Sequence, residues 1–332
     1  MKIPFYFFTF FLSFSFVSNA NDLLLSTSFL KQYHLVRSLL KKTDFQEIEF
    51  KTPDGLNISG LFLSRPNARC NVIISAGWLP GRKEGMASFY HLIPEDCNLL
   101  LFDARGHGES DGHLLWKIWR YGIDEYKDFL GAINYLNKEN SLPIILGGTC
   151  SGVFNATHAI VALTKYNKLE KSRVKGLIFD SGWGCVTTMS KSAALTNIKK
   201  TLRRILSMCY RSKENIKNNI VYNVSSKIIC GCFSLGHFLF ARPILYQYEH
   251  KTNLFDKIHT INIPILFIHS FDDTHADSMQ ALKLAELAPN KNCWWIEQSY
   301  HSKHHLIHTA EYKNKLVQFI DQALMSTTVP AL

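Results

Sequence analysis

Five residues near the middle of the chain, Gly148-Thr149-Cys150-Ser151-Gly152, constrain the fold more than any other stretch. An apolar run, Ile144 to Leu146, precedes them, and a helical pattern, Ser151 to Lys165, follows at once. A chain that passes from strand to helix without a linker must turn sharply. Glycines beside such a turn let backbones approach where a Cβ would block them. The central residue is then held strained with its side chain exposed at the end of a sheet, the geometry of a nucleophile elbow. Here that residue is Cys150. A thiol at a helix N-terminus is biased towards thiolate by the helix dipole, and the thiolate is the nucleophile. The amide of Ser151 would point at an oxyanion formed on attack. Glycines flanking an inert core cysteine give the same five residues, so the surroundings must decide.

Those surroundings alternate strand and helix. Phe45 to Lys51 and Leu56 to Ser64 read as strands about the Pro53-Asp54-Gly55 turn, a hairpin signal. Short apolar runs at Asn71 to Ser75, Leu99 to Phe102, Ile144 to Leu146, Gly176 to Phe179 and Ile265 to Ile268 have the look of buried parallel strands. Helical patterns lie between most of them, at Ile123 to Asn137, Ser151 to Lys165 and Ser278 to Leu287, and Val317 to Leu324 fit a closing helix. This rhythm implies an α/β fold with a mostly parallel, doubly wound sheet. It breaks between Phe179 and Ile265, where no convincing core strand appears. Residues 183–259 are expected to form an inserted helical cap, between core segments 21–182 and 260–332. With 46% hydrophobic and 19% charged residues, the chain is not disordered.

The first twenty residues form a separate object. Lys2 gives a positive start, Ile3 to Val17 an apolar run, and Ser18-Asn19-Ala20 small residues at a cleavage point. This is the layout of a secretory signal peptide over residues 1–20. The run is shorter than the roughly 20 residues that span a bilayer. Export to a periplasm or the medium is expected, with an uncleaved amino-terminal membrane anchor as the alternative. Asn21 to Thr43 then read as an amphipathic helix.

Several motifs beyond the elbow carry a resemblance. Lys51-Thr52-Pro53-Asp54-Gly55 forms an opening hairpin, and Asp103-Ala104-Arg105-Gly106-His107-Gly108-Glu109-Ser110 a D-x-R-G-x-G-x-S loop after a core strand. Phe179-Asp180-Ser181-Gly182 ends the strand after the elbow, and His269-Ser270-Phe271-Asp272-Asp273 follows a later one. In these the chain resembles an α/β-hydrolase, close to the lysophospholipase-like and serine-aminopeptidase-like branch. That resemblance implies a triad in the order nucleophile, acid, histidine. Cys150 takes the nucleophile position and Asp273 the acid, with Asp272 as a turn-capping rival. His301, after the last strand at Cys293 to Glu297, takes the base. The centre departs from the family in being cysteine. Dienelactone hydrolases are similar in using G-x-C-x-G, but the signal peptide and large cap do not fit that branch.

The resemblance also implies a second oxyanion donor in Ala76-Gly77-Trp78-Leu79-Pro80-Gly81, where the family has His-Gly. A backbone amide does this work, so Trp78 can donate beside Ser151, and the Ala76 departure bears mainly on loop rigidity. His107 reads as structural within its loop. His301-x-x-His304-His305-x-x-His308 has zinc-like spacing but lacks H-E-x-x-H. No metal and no cofactor is expected.

Lys199, Lys200, Arg203 and Arg204 form the basic side of an amphipathic helix at Lys191 to Tyr210. It reads first as a solvated face and second as a contact with anionic membrane. The net charge of +10 allows an anionic partner, but no nucleic-acid-binding motif accompanies it, and no nucleic acid is expected. Of the eight cysteines, setting Cys150 aside leaves Cys70, Cys97, Cys185, Cys209, Cys230, Cys232 and Cys293. An exported chain favours disulfides. An odd remainder cannot pair completely, so either one more is free or Cys150 is itself bridged. The sequon at Asn155 falls in the helix behind the elbow, where a glycan would conflict with the fold. The expected function is an exported acyl hydrolase of esterase or thioesterase type acting on a small acyl or lipid-like substrate. A silent binding protein of the same fold and a lysophospholipase-like enzyme at a lipid surface are the alternatives.

Overall fold

The computed structural model describes residues 43–78, 81–113, 122–192 and 249–325, and between the last two ranges residues 195, 196, 198, 199, 226–232, 234 and 246. The export signal at residues 1–20, the helix expected over Asn21 to Thr43 (all but its last residue) and most of the basic helix lie outside the described residues. Two compact units divide the chain. One combines residues 44–189 with 248–332, and the other residues 1–43 with 190–247.

The first unit is built on an eight-stranded sheet in the order β1-β2-β4-β3-β5-β6-β7-β8. Its strands are β1 (Gln46–Lys51), β2 (Asn57–Leu63), β3 (Cys70–Ser75), β4 (Cys97–Phe102), β5 (Ile144–Thr149), β6 (Val174–Asp180), β7 (Ile265–Ser270) and β8 (Lys291–Ile296). β2 runs antiparallel to β1 and β4, and the other pairs are parallel. The hairpin turns at Gly55, whose φ of 89° suits glycine. β3, β4 and β5 are buried at every position. Strands covered on both faces need apolar side chains on both, hence continuous rather than alternating apolar runs.

The helices are α1 (Tyr126–Glu139), α2 (Ser151–Lys165), α3 (Leu169–Ser172), α4 (Ser278–Leu287), α5 (His304–Ile307) and α6 (Thr309–Met325). Among the described residues the expected strands and the helices between them are present, with differences at their ends. β5 continues through Gly147-Gly148-Thr149 because those backbones pair with β3 and β6. The sequence gives no sign of the 3-10 helix at Lys83–His91, whose first residue is a buried lysine. Among the described residues no helix is long and apolar enough to cross a membrane.

Both flanks of the expected insertion pack within the sheet-bearing unit. Trp183 is buried and stacks on Phe154 of α2 with ring centroids 5.3 Å apart. Leu254 and Ile258 are fully buried. Gln280 Oε1 accepts hydrogen bonds from the Gly184 and Cys185 amides at 3.1 and 2.9 Å. These contacts keep residues 183–189 and 248–259 with the core, so only residues 190–247 of the expected insertion fall in the second unit.

Elbow glycines are fixed by close approach. A Cβ at Gly148 would lie 2.6 Å from the Ser75 carbonyl oxygen, and one at Gly152 would overlap the Ser75 and Ala76 carbonyls. Backbone carbonyls in a buried strand cannot yield as a flexible side chain can. Gly152→Ala is therefore expected to destabilise the fold by about 1–3 kcal/mol or more. Gly231→Ala, where an added Cβ meets nothing within 4 Å, should be neutral or slightly stabilising. Denaturant unfolding of the two variants checks the contrast, and equal midpoints would remove the close-packing account.

Candidate active site

The elbow presents Cys150 as the turn between β5 and α2. Its φ of 58° and ψ of −121° lie outside the regions a cysteine ordinarily adopts. A residue in such a conformation is held by its surroundings, and this strain is typical of functional positions. The Cys150 amide donates to the Asp180 carbonyl at 3.0 Å, which ties the turn to β6. Ser151 is the first residue of α2, so its amide is among those that helix geometry leaves without an intrahelical acceptor. On the other side lies Gly77, where a Cβ would sit 2.9 Å from the Cys150 Cβ and 3.3 Å from its Sγ. Only a glycine allows the β3 turn this close to the thiol, and Trp78 follows it directly.

The Trp78 turn is fastened from the D-x-R-G-x-G-x-S loop. His107 Nε2 lies 2.7 Å from the Trp78 carbonyl oxygen. A Cβ at Gly81 would overlap the His107 ring. His107 is thus the structural histidine the sequence suggests, and its specific task is to hold this turn. The loop itself is organised by Asp103. Its carboxylate accepts from the Lys83 and Glu109 amides at 2.7 and 2.9 Å and meets Lys83 Nζ at 3.1 Å. Arg105 extends the frame, reaching Asp128 of α1 at 2.8 Å and Asp54 of the hairpin turn at 3.0 Å. Burial works against the charge of Arg105, but the two carboxylates outweigh it and raise its pKa.

Asp273, in the turn after β7, has a fully buried side chain. Its Oδ1 accepts from the His275 and Ala276 amides at 2.8 and 3.0 Å. Its Oδ2 lies 2.7 Å from His301 Nδ1. Burial pushes the Asp273 pKa up, but the His301 hydrogen bond and the charges of His301 and His269 outweigh that and lower it. Asp272 is exposed and accepts from the Gln298 amide at 2.8 Å, a loop-capping role.

His301 faces both Asp273 and Cys150. Burial alone would lower its pKa. Its interactions with the Cys150 sulfur and with the Asp273 carboxylate oppose this, raising it to about 10. The structure thus brings together Cys150, His301 and Asp273, from three separate loops at the carboxyl ends of β5, β8 and β7. An imidazole between two acidic groups can hold a proton, orient it and pass it on.

The other histidines do not converge with His301. His304 is buried, with Nδ1 2.7 Å from Ser299 Oγ and Nε2 2.9 Å from Ser181 Oγ. Burial lowers the pKa of His305 to about 4. Among the described residues, no group of three or more His, Cys, Asp or Glu is arranged to hold a metal ion. Instead His304 belongs to a buried polar cluster behind the His301 loop. Ser181 Oγ donates to Asp180 at 2.7 Å and accepts from the Ser302 amide at 3.0 Å. Tyr312 Oη also donates to Asp180, at 2.9 Å. Ser302, the residue after His301, is thereby pinned to the end of β6. The sequence motif Phe179-Asp180-Ser181-Gly182 locates this strand end but carries no sign of the cluster.

By sequence, no family model matches the chain, and no curated protein matches it. By structure, an esterase of Pyrococcus furiosus superposes with a TM-score of 0.55 at 16% identity, covering 85% of this chain and 93% of its own. Proline iminopeptidase of Mycobacterium smegmatis gives 0.56 at 13% identity, covering 85% and 99%. Acylaminoacyl peptidase of Pyrococcus horikoshii gives 0.59 at 15% identity, covering 89% of this chain but 44% of its own. The chain has the α/β-hydrolase fold. At these identities the likeness is one of fold, and the strand order with its elbow after β5 agrees with it.

Replacing Asp273 removes one of the interactions that raise the His301 pKa. Asp273→Asn is expected to move it down from about 10 by about 1–3 pH units. Histidine titration by NMR in the two proteins measures this, and an unchanged His301 value would separate Asp273 from the pair.

Proposed function

We propose that this protein is an exported acyl hydrolase that uses Cys150 as nucleophile, His301 as proton carrier and Asp273 as its orienting acid. The observation that carries the reading is His301, bonded to Asp273 at 2.7 Å and raised to about 10 by its contacts with Cys150 and Asp273. Such a histidine holds its proton at neutral pH against a thiolate partner. The thiolate attacks an acyl carbonyl, and charge moves to the carbonyl oxygen. The Ser151 and Trp78 amides are the donors assigned to that oxyanion. As the tetrahedral adduct collapses, His301 passes its proton to the leaving group, leaving an acyl thioester on Cys150. Neutral His301 then takes a proton from water, whose oxygen attacks the thioester, and free acid and thiolate return.

Thiols attack thioesters, lactones and activated esters readily, so these are the proposed substrate class. The structural neighbours described as esterases and peptidases support hydrolysis at an acyl carbon in general. The basic face expected in the insertion, Lys199, Lys200, Arg203 and Arg204, would meet anionic lipid. Export rests on Lys2, the apolar run Ile3 to Val17 and Ser18-Asn19-Ala20.

Activity on p-nitrophenyl acyl esters of graded chain length tests the reading. Cys150→Ala is expected to lose about 10³-fold or more in kcat. Equal rates in wild type and variant would sink the nucleophile assignment. No turnover by the wild type on any ester or thioester would favour a binding protein. A second outcome follows from the histidine. If His301 must carry a proton to the leaving group, the rate on simple alkyl esters, whose alkoxide does not leave unprotonated, should hold through neutral pH and fall as pH rises through about 10. In Asp273→Asn that alkaline limb should move to lower pH, because a stabiliser of the protonated ring is gone. An alkaline limb that does not move would break the link between Asp273 and proton transfer.

A further inference from the structure

A second pair of sulfurs lies at the opposite end of the sheet from Cys150. Cys70 and Cys97 are the first residues of β3 and β4, and they stand directly opposite each other in the parallel register. Both are fully buried. Their Sγ atoms are 2.8 Å apart. Neighbouring strands run about 4.7–4.9 Å apart, inside the roughly 4.4–6.8 Å Cα separation that a disulfide bridges. Facing residues of a parallel pair also send their side chains to the same face. The Cys97 thiol and burial together raise the pKa of Cys70, so in the reduced protein it stays a neutral thiol.

We propose that Cys70 and Cys97 form a structural disulfide that staples β3 to β4 when the chain folds under oxidising conditions. The bond closes across 27 positions of sequence that contain the Trp78 turn and the 3-10 helix, so it constrains the segment that faces Cys150. The reaction is thiol–disulfide exchange with a small-molecule or protein disulfide. One cysteine, as thiolate, attacks that disulfide and releases one thiol. The second cysteine then attacks the mixed disulfide and releases the other. The protein loses two hydrogens and two electrons, and the oxidant gains them as two thiols. Because neither sulfur is accessible in the folded sheet, exchange must occur before β3 and β4 close. Once formed, the bond is shielded from reductants.

The pairing takes two of the seven cysteines other than Cys150 and leaves Cys150 unbridged, as the proposed nucleophile requires. It does not depend on hydrolysis, and it depends on export only for the oxidant inside the cell.

The reduced, unfolded full chain is refolded with a mixture of oxidised and reduced glutathione. It is then denatured, alkylated with iodoacetamide without reductant, digested and mapped by mass spectrometry. The expected result is a peptide pair joining Cys70 to Cys97, two hydrogen masses lighter than its parts, with Cys150 alkylated. Alkylation of both Cys70 and Cys97 in the refolded protein would overturn the proposal. A reductant should lower the denaturation midpoint of the wild type and leave that of Cys70→Ala unmoved. Equal loss in both would also count against the staple. The same map on protein recovered from an expressing cell separates the two readings: a bond formed on refolding but absent there overturns export and supports the pair.

Discussion

The site depends on how closely β5 and α2 press against the end of β3. The Ser75 carbonyl oxygen occupies the space a side chain at 148 or 152 would need. With that space taken, the chain can only turn from strand to helix through a backbone conformation such as the φ of 58° at Cys150. Three consequences follow from one approach. The thiol stands at the head of a helix, the first helix amides face it, and the Gly77 turn lies against it.

A close approach fixes one wall of the site and not the others. The Trp78 turn and the His301 loop are both irregular backbone, and each is held by a buried polar device. For the first, Asp103 gathers Lys83 and Glu109, and His107 reaches from the same loop to the Trp78 carbonyl. For the second, Asp180 and Ser181 at the end of β6 gather His304, Tyr312 and the Ser302 amide. Burying such groups costs free energy unless every partner is present. That cost makes the arrangement specific, since a shifted loop would leave buried charges unpaired.

These devices mark the limit of what could be read from the sequence. The strands were legible because burial on both faces leaves an unbroken apolar run. α2 and α4 were legible from periodicity with matching ends. Cys150, Asp273 and His301 were legible from local motifs in chain order, and the structure brings them into contact. The supports were not. Ser181 and His304 are 123 residues apart, and His107 and Trp78 are 29 apart. No local pattern distinguishes a serine that anchors a distant loop from one that caps a turn. Lys83 illustrates the same limit, since a lysine ordinarily marks a surface, and Asp103, Glu109 and Ser59 make its burial tolerable.

The sulfur chemistry of the protein is divided by the sheet. In the parallel strands, carboxyl ends gather at one edge and amino ends at the other. Cys150 follows the carboxyl end of β5, while Cys70 and Cys97 open β3 and β4. A six-residue strand at about 3.3 Å per residue puts on the order of 15–20 Å between these edges. That exceeds the roughly 7 Å at which two cysteines can be joined without moving the backbone. The proposed nucleophile and the proposed disulfide pair can therefore share one chain, because buried strands lie between them. The two environments also differ in what lies beside the sulfur. Cys150 meets a histidine whose pKa is raised to about 10. Cys70 meets another thiol in an apolar strand pair, which favours the neutral form.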